Sequence, residues 1–325
     1  MVGTMLPPLR FKPLFRQYVW GGRRLQSVLG KQIGEGDDYA ESWEIVDHGQ
    51  DQSIVQFGEH VGMTLHDLVT QRGEELLCRH HPQPQFPLLL KFLDANRDLS
   101  VQVHPNDEQG ARLDPADLGK TEAWVILEAA PGSKVYAGLK RDINRTAFEE
   151  AIATGKTAAC LHVIEPNVGD CVFIPAGTVH ALGAGLVVAE IQQASDTTYR
   201  IFDWNRVGTD GRPRQLHIEE ALDVIDFQKG PVLLQQPRET GEPNVLRLVE
   251  CDKFVLQRWS FNEPMQIPND SRCRLLAVLT GSVEVEHDPA QAPLTRGETM
   301  LVPASAGGVR VVPQESSVVL EMHLP

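Results

Sequence analysis

Residues 169–180 read GDCVFIPAGTVH, and residues 297–303 read GETMLVP. Each stretch is a glycine turn, an acidic residue and a short apolar run closed by a proline, Pro175 in one and Pro303 in the other. Each follows two β-rich runs around a turn, WVILEAAPGSKVY (124–136) and LLAVLTGSVEV (275–285). Val and Ile clustered between Gly, Pro, Asn and Asp punctuation predict short strands. The repetition predicts two small β-barrels, one on either side of a polar, Pro/Gly-bearing linker at 228–246. We place the boundary so that residues 1–235 form the first unit and 236–325 the second. Three stretches carry helical spacing: 64–77, with Leu65, Leu68, Val69 and Leu76 on one face; 144–155, capped by Asn144 and closed by Gly155; and 217–227, with Ile218, Leu222 and Ile225. The expected fold is mainly β, a tandem of barrel or jelly-roll domains with a few added helices.

The chain of 325 residues is 42% apolar and 23% charged, with enough material for two cores. Its formal charge of −14, with no basic stripe, argues against a nucleic-acid partner. The longest apolar runs, FPLLLKFL (86–93) and GLVVAEI (185–191), are too short and too charged to cross a bilayer, so no membrane partner is expected. The opening MVGTMLPPLRFKPLF has no apolar leader core, which predicts a cytoplasmic protein. Cys78, Cys160, Cys171, Cys251 and Cys273 form no C-x-x-C pair and read as free thiols. No G-x-G-x-x-G, phosphate-binding loop or G-x-S-x-G motif is present.

The two copies differ where chemistry would sit. Five residues after Pro175 comes His180; five after Pro303 comes Gly308. One copy is equipped and the other is structural. The pattern Gly169-x₅-Pro175-x-Gly177-x₂-His180 resembles the second motif of the cupin barrels. The first cupin motif has its counterpart in VQVHPND (101–107), where Gln102 and His104 are two apart and share one face of a strand. Glu122, in GKTEAWVIL, stands for that motif's downstream glutamate. Two imidazoles, a carboxylate and an amide oxygen from Gln102, His104, Glu122 and His180 suit a borderline divalent ion, zinc above all.

Four stretches, KFLDANRDLSVQVHPND (91–107), GKTEAWVIL (119–127), VFIPAGTVHAL (172–182) and AEIQQASDTTYRIFDWNR (189–206), closely resemble the type I mannose-6-phosphate isomerases, nearest to their short bacterial form. YVWGGRRL (18–25) and AESWEIV (40–46) resemble that family's N-terminal stretches, and RGETMLVPA extends the resemblance into the second barrel. The resemblance implies a tandem cupin with one zinc per chain, on the residues matching Gln102, His104, Glu122 and His180. It also implies interconversion of mannose 6-phosphate and fructose 6-phosphate, with a catalytic role for the arginine matching Arg200. Two features depart from the family's longer members: the 106–120 loop is short, and their extra helical domain is missing.

Aldose–ketose isomerisation through an enediol needs a base near C1 and C2. Glu190, ten residues before Arg200, is the first candidate; Lys120, two residues before Glu122, is the second and is equally suited to contact phosphate. Arg200 fits either an enediolate or a phosphate. Ser100 and Lys91, flanking the opening motif, are candidate substrate contacts for a small sugar phosphate. The rival functions are isomerisation of another sugar, sugar binding without catalysis, and metal-dependent oxygenation; the oligomeric state is left open.

Overall fold

The computed structural model describes residues 5–208 and 211–325. Residues 1–4, part of the stretch read for a leader, lie outside the described residues.

Two open, twisted sheets face each other in the N-terminal part. A six-stranded antiparallel sheet orders Cys171–Ile174, Glu122–Ala129, Leu186–Gln193, Leu88–Ala95, Tyr39–Ile45 and Leu14–Gly22. A five-stranded sheet orders Leu161–Ile164, Val135–Leu139, His180–Leu182, Val101–Val103 and Tyr199–Phe202. The C-terminal part repeats the plan. Its six-stranded sheet orders Arg238–Glu239, Val245–Glu250, Val255–Phe261, Ser317–His323, Arg274–Thr280 and Thr299–Val302, and a four-stranded sheet faces it. The fold is a pair of cupin-type jelly rolls, as expected.

Alternation along the strands explains how the halves join. In Glu122–Ala129 the odd positions, Ala123, Val125 and Leu127, enter one core with Leu275, Ala277 and Leu279 of the second half. The even positions, Trp124 and Ile126, line the interior of the first jelly roll. Likewise Leu276 and Val278 turn into the second interior. Both six-stranded sheets therefore carry apolar side chains on both faces and share one core between them. Leu186–Gln193 is buried at every position, so the run reads as continuous rather than alternating. The rings of Phe173 and Phe254 meet edge-on at 6.3 Å across this seam.

The helices follow the spacing, with trimmed ends. Thr64 caps Leu65–Leu77 through a reciprocal pair with Asp67, and non-helical backbone at Arg72 kinks that helix. Asn144 accepts from the Ala147 amide at the start of Arg145–Ala153. The third helix spans only Ile218–Val224, because Ile225 turns extended. A short helix at Arg24–Leu29, starting at the end of the YVWGGRRL stretch, was not expected.

No helix among the described residues is long and apolar enough to cross a membrane.

Candidate metal centre and active-site cleft

The two facing sheets of the first jelly roll deliver the candidate residues to one place. Strand register puts Gln102 opposite both His180 and Arg200 on the five-stranded sheet. On the six-stranded sheet Glu190 pairs with Lys91 on one side and with Trp124 on the other. Val101 and Val103 point away into a core with Phe148 and Leu222 of the covering helices. That leaves Gln102 and His104 facing inward, as the period of two requires.

His104 follows its strand and is followed by Pro105. Its carbonyl accepts from the Gly177 amide at 2.8 Å, and the Pro105 carbonyl accepts from the Lys120 amide at 2.9 Å. Gly177 has φ +82°, and an added Cβ would meet the Val224 carbonyl oxygen at 3.0 Å. That close approach explains the glycine of PAGTVH.

Three ligand atoms of His104, Glu122 and His180 lie within 4.8 Å of one another, all buried. His180 Nε2 is 3.2 Å from Glu122 Oε1, and His104 Nε2 is 3.6 Å from Glu122 Oε2. Each imidazole spends its Nδ1–H on a backbone carbonyl: His104 on Thr197 at 2.9 Å, His180 on Thr178 at 2.8 Å. Both Nε2 lone pairs are thereby turned into the cluster, the tautomer a metal-ligating histidine uses. Glu122 Oε1 is buried without a hydrogen-bond donor. Lys120 Nζ lies 3.0 Å from His104 Nε2 and 2.7 Å from Glu122 Oε2. A protein cation thus already sits against two of these acceptors. Gln102 Nε2 is 3.3 Å from His180 Nε2; half a turn of the amide exchanges its ends and presents Oε1 instead. A set of acceptors with an orphaned buried carboxylate oxygen fits a bound divalent cation.

Burial, then the nearby ammonium of Lys120, holds His104 well below its ordinary pKa. Burial lowers His180 to about 4. Both are neutral at pH 7 and need lose no proton to act as ligands.

Glu190 is buried beside the cluster. Its Oε2 accepts from Trp124 Nε1 at 3.0 Å, and its Oε1 is 3.4 Å from Lys91 Nζ and 3.7 Å from Lys120 Nζ. Burial would raise its pKa, but Lys91 and Lys120 outweigh this and lower it. Lys91 also lies 3.3 Å from Glu41. Burial opposes its charge, yet Glu190 and Glu41 win and raise its pKa. Both groups are ionised at neutral pH.

A cleft of about 270 Å³ opens onto these groups, lined by Lys91, Ser100, Gln102, Lys120, His180, Glu190 and Arg200, with Tyr18, Trp20 and Arg214 at its walls. Arg200 Nε donates to Ser100 Oγ at 3.3 Å, and its Nη1 donates to the Gln215 carbonyl at 2.9 Å. All nine residues singled out in the sequence fall in the cluster or its cleft. Glu41, Trp124 and Arg214 were missed: each is an ordinary residue of its segment, and strand register brings the first two here while Arg214 comes from the loop after Tyr199–Phe202.

The second jelly roll differs at the corresponding position. Val302, the counterpart of Ile174 in the repeated stretch, pairs with Arg274, whereas Ile174 pairs with Glu122. An arginine thus stands where the first copy has its carboxylate. Arg274 bonds Asp270 at 2.7 and 2.9 Å and lies 3.0 Å from Glu321.

The chain resembles known proteins over nearly its whole length. Residues 9–142 match the model of the phosphomannose isomerase type I catalytic domain, and 244–320 that of the mannose-6-phosphate isomerase cupin domain. A probable mannose-6-phosphate isomerase of Bacillus subtilis, GmuF, is 33% identical over 93% of this chain and 95% of its own. The mannose-6-phosphate isomerase ManA of the same organism is 34% identical over 92% and 94%. A crystal structure of a Bacillus subtilis mannose 6-phosphate isomerase superposes with a TM-score of 0.88 at 27% identity, covering 98% of this chain and 100% of that one.

Proposed function

The chain belongs to the type I mannose-6-phosphate isomerases, and from that premise we propose that it isomerises mannose 6-phosphate and fructose 6-phosphate through an enediol, with one zinc ion held by Gln102, His104, Glu122 and His180. The observation that carries this reading is the pair of imidazoles whose Nε2 atoms both turn toward buried Glu122, that of His180 beside the donor-free Oε1 and that of His104 beside Oε2. Bound there, a zinc ion supplies Lewis-acid polarisation of the sugar's carbonyl and hydroxyl oxygens. We take residues 1–235 as the catalytic unit and 236–325 as a second cupin without ligands.

Glu190 is the base that moves the proton between C1 and C2. It is ionised, buried and held at Oε2 by the Trp124 indole, so its free oxygen is aimed rather than solvated. Lys120 reaches Glu122 and approaches Glu190. It is placed to pass a proton to or from a substrate oxygen, or to hold that oxygen's charge. Arg200 stabilises negative charge developing at the cleft. Ser100 and Lys91 contact the substrate, the first through its hydroxyl and the second through an ammonium shared with Glu41 and Glu190. Arg214 adds a second guanidinium at the cleft wall, tied to Asp203 at 2.6 and 2.8 Å. A cytoplasmic site of action accords with a phosphorylated substrate.

A coupled assay for fructose 6-phosphate, run before chelation, after it, and with zinc restored, tests the reading. Activity should vanish with the chelator and return with zinc, and free mannose should turn over far more slowly than its 6-phosphate. Full activity after exhaustive chelation would overturn the metal assignment. Equal rates with free mannose would make the phosphate irrelevant and favour an isomerase of another sugar.

A further inference from the structure

One network beside the centre is used by none of the roles above. Asp117 lies in the loop before Glu122, and its carboxylate gathers donors from three segments. Ser195 Oγ and Thr197 Oγ1 each donate to Oδ2 at 2.7 Å. The Leu118 amide donates to Oδ1 at 2.8 Å, and His48 Nε2 lies 3.2 Å from the same oxygen. Thr197 is the residue whose carbonyl accepts His104 Nδ1–H at 2.9 Å. The turn it belongs to, residues 194–198, has no ladder of its own between the strands Leu186–Gln193 and Tyr199–Phe202. Its start is held by the Ala194 amide on the Pro87 carbonyl and by Gln85 and Gln192 on the Ala194 and Ser195 carbonyls; the hydroxyls of Ser195 and Thr197 are held by Asp117. The same turn leads directly into Arg200.

We propose that Asp117 is a positioning residue: by clamping the Ser195 and Thr197 hydroxyls it fixes the Thr197 carbonyl, which selects the His104 tautomer and turns Nε2 into the ligand cluster. Outer partners of a ligating histidine set ring orientation and basicity, and losing one costs about 10- to 100-fold in metal affinity. Here that partner is a backbone carbonyl, so the side chain that matters is one step further out. A bland role is the alternative: Asp117 would merely tether a surface turn, and its removal would lower stability while leaving the imidazole as it is.

The inference rests on the metal reading for its consequence but not for its structural content, and the test separates the two. In metal-free protein labelled with ¹⁵N-histidine, the ring shifts of His104 report its tautomer. Lys120 Nζ, 3.0 Å from Nε2, favours the same tautomer, so the ring shifts are compared with Lys120→Met present throughout: with Asp117 intact Nδ1 should be protonated, and Asp117→Ala should show a mixture or the other tautomer. Thr197→Val, which removes one anchor and keeps the carbonyl, should move the ring shifts less in the same direction and serves if Asp117→Ala does not fold. A titration with zinc alone should then show affinity about 10- to 100-fold weaker in Asp117→Ala. At saturating zinc, kcat should fall with KM changed less than about twofold, since the lost contact touches a ligand and not the substrate. Unchanged His104 shifts in a folded Asp117→Ala would overturn the proposal whether or not the wild type binds zinc. Shifts that move as stated, with a wild type that binds no zinc, would uphold the positioning and sink the metal reading instead.

Discussion

At Glu190 two neighbours do opposite things: the Trp124 indole fixes one oxygen while Lys91 and Lys120 keep the group ionised. Glu190→Gln retains the shape and the indole contact but cannot take a proton. We expect kcat to fall about 10²- to 10⁴-fold, with zinc stoichiometry unchanged by elemental analysis; a variant within tenfold of wild type would remove Glu190 from the role of base. Gln102, His104 and His180 stood out in the sequence through the spacing of their motifs, whereas Glu122 and Arg200 were read from the family resemblance. Glu41 and Trp124 were not legible, because their relation to the site exists only across the ladder, where Trp124 pairs with Glu190 and Glu41 pairs with Leu93, two residues from Lys91. Asp117 was hidden for a different reason: it acts through a carbonyl, and carbonyls leave no trace in residue identity.

Elements carry the site by meeting end to end. The turn of PAGTVH holds the end of VQVH through one amide, and Gly177 makes that approach possible with φ +82°. Gly177→Ala should cost about 1–2 kcal/mol for the left-handed backbone alone, with the Val224 contact adding to it. Urea denaturation should show the midpoint fall with the slope unchanged, and the zinc affinity should drop with it because the His104 carbonyl loses its anchor. No change in midpoint would mean that the turn relaxes freely and does not position His104. Strand positions were legible from composition and turn signals, whereas helix ends were less so. The 217–227 pattern continues apolar to Ile225 and Phe227, but the backbone turns extended at Ile225 to pack those side chains with Phe148. Periodicity records which residues are buried, not where hydrogen bonding stops.

For the molecule as a whole, acid is the natural stress. Burial would raise the pKa of Asp270, but Arg274 and Arg272 hold it well below the usual carboxylate range. Burial opposes Asp117 similarly, and its bonds to His48, Thr197 and Ser195 prevail. A folded-state pKa below the unfolded value of about 4 contributes stability that is complete above that value and is lost as pH falls through the folded one. Unfolding followed from pH 6 downward should therefore steepen below about 4, and Asp270→Asn should flatten that fall while lowering stability at neutral pH. An unaltered acid profile would deny Asp270 its part. The duplication was legible from two short matching stretches, but the seam was not. Runs apolar on both faces read alike whether a helix layer or a second sheet covers them. Arg274, standing in the register position of Glu122, has a consequence for how the two halves age. On the proposed metal reading, the first half takes its central positive charge from solution and can be stripped of it; the second has one written into its own chain. Chelation should accordingly speed amide exchange around 102–104 and 178–182 while leaving 274–277 and 319–323 as they were, so that a molecule starved of metal fails from one end only.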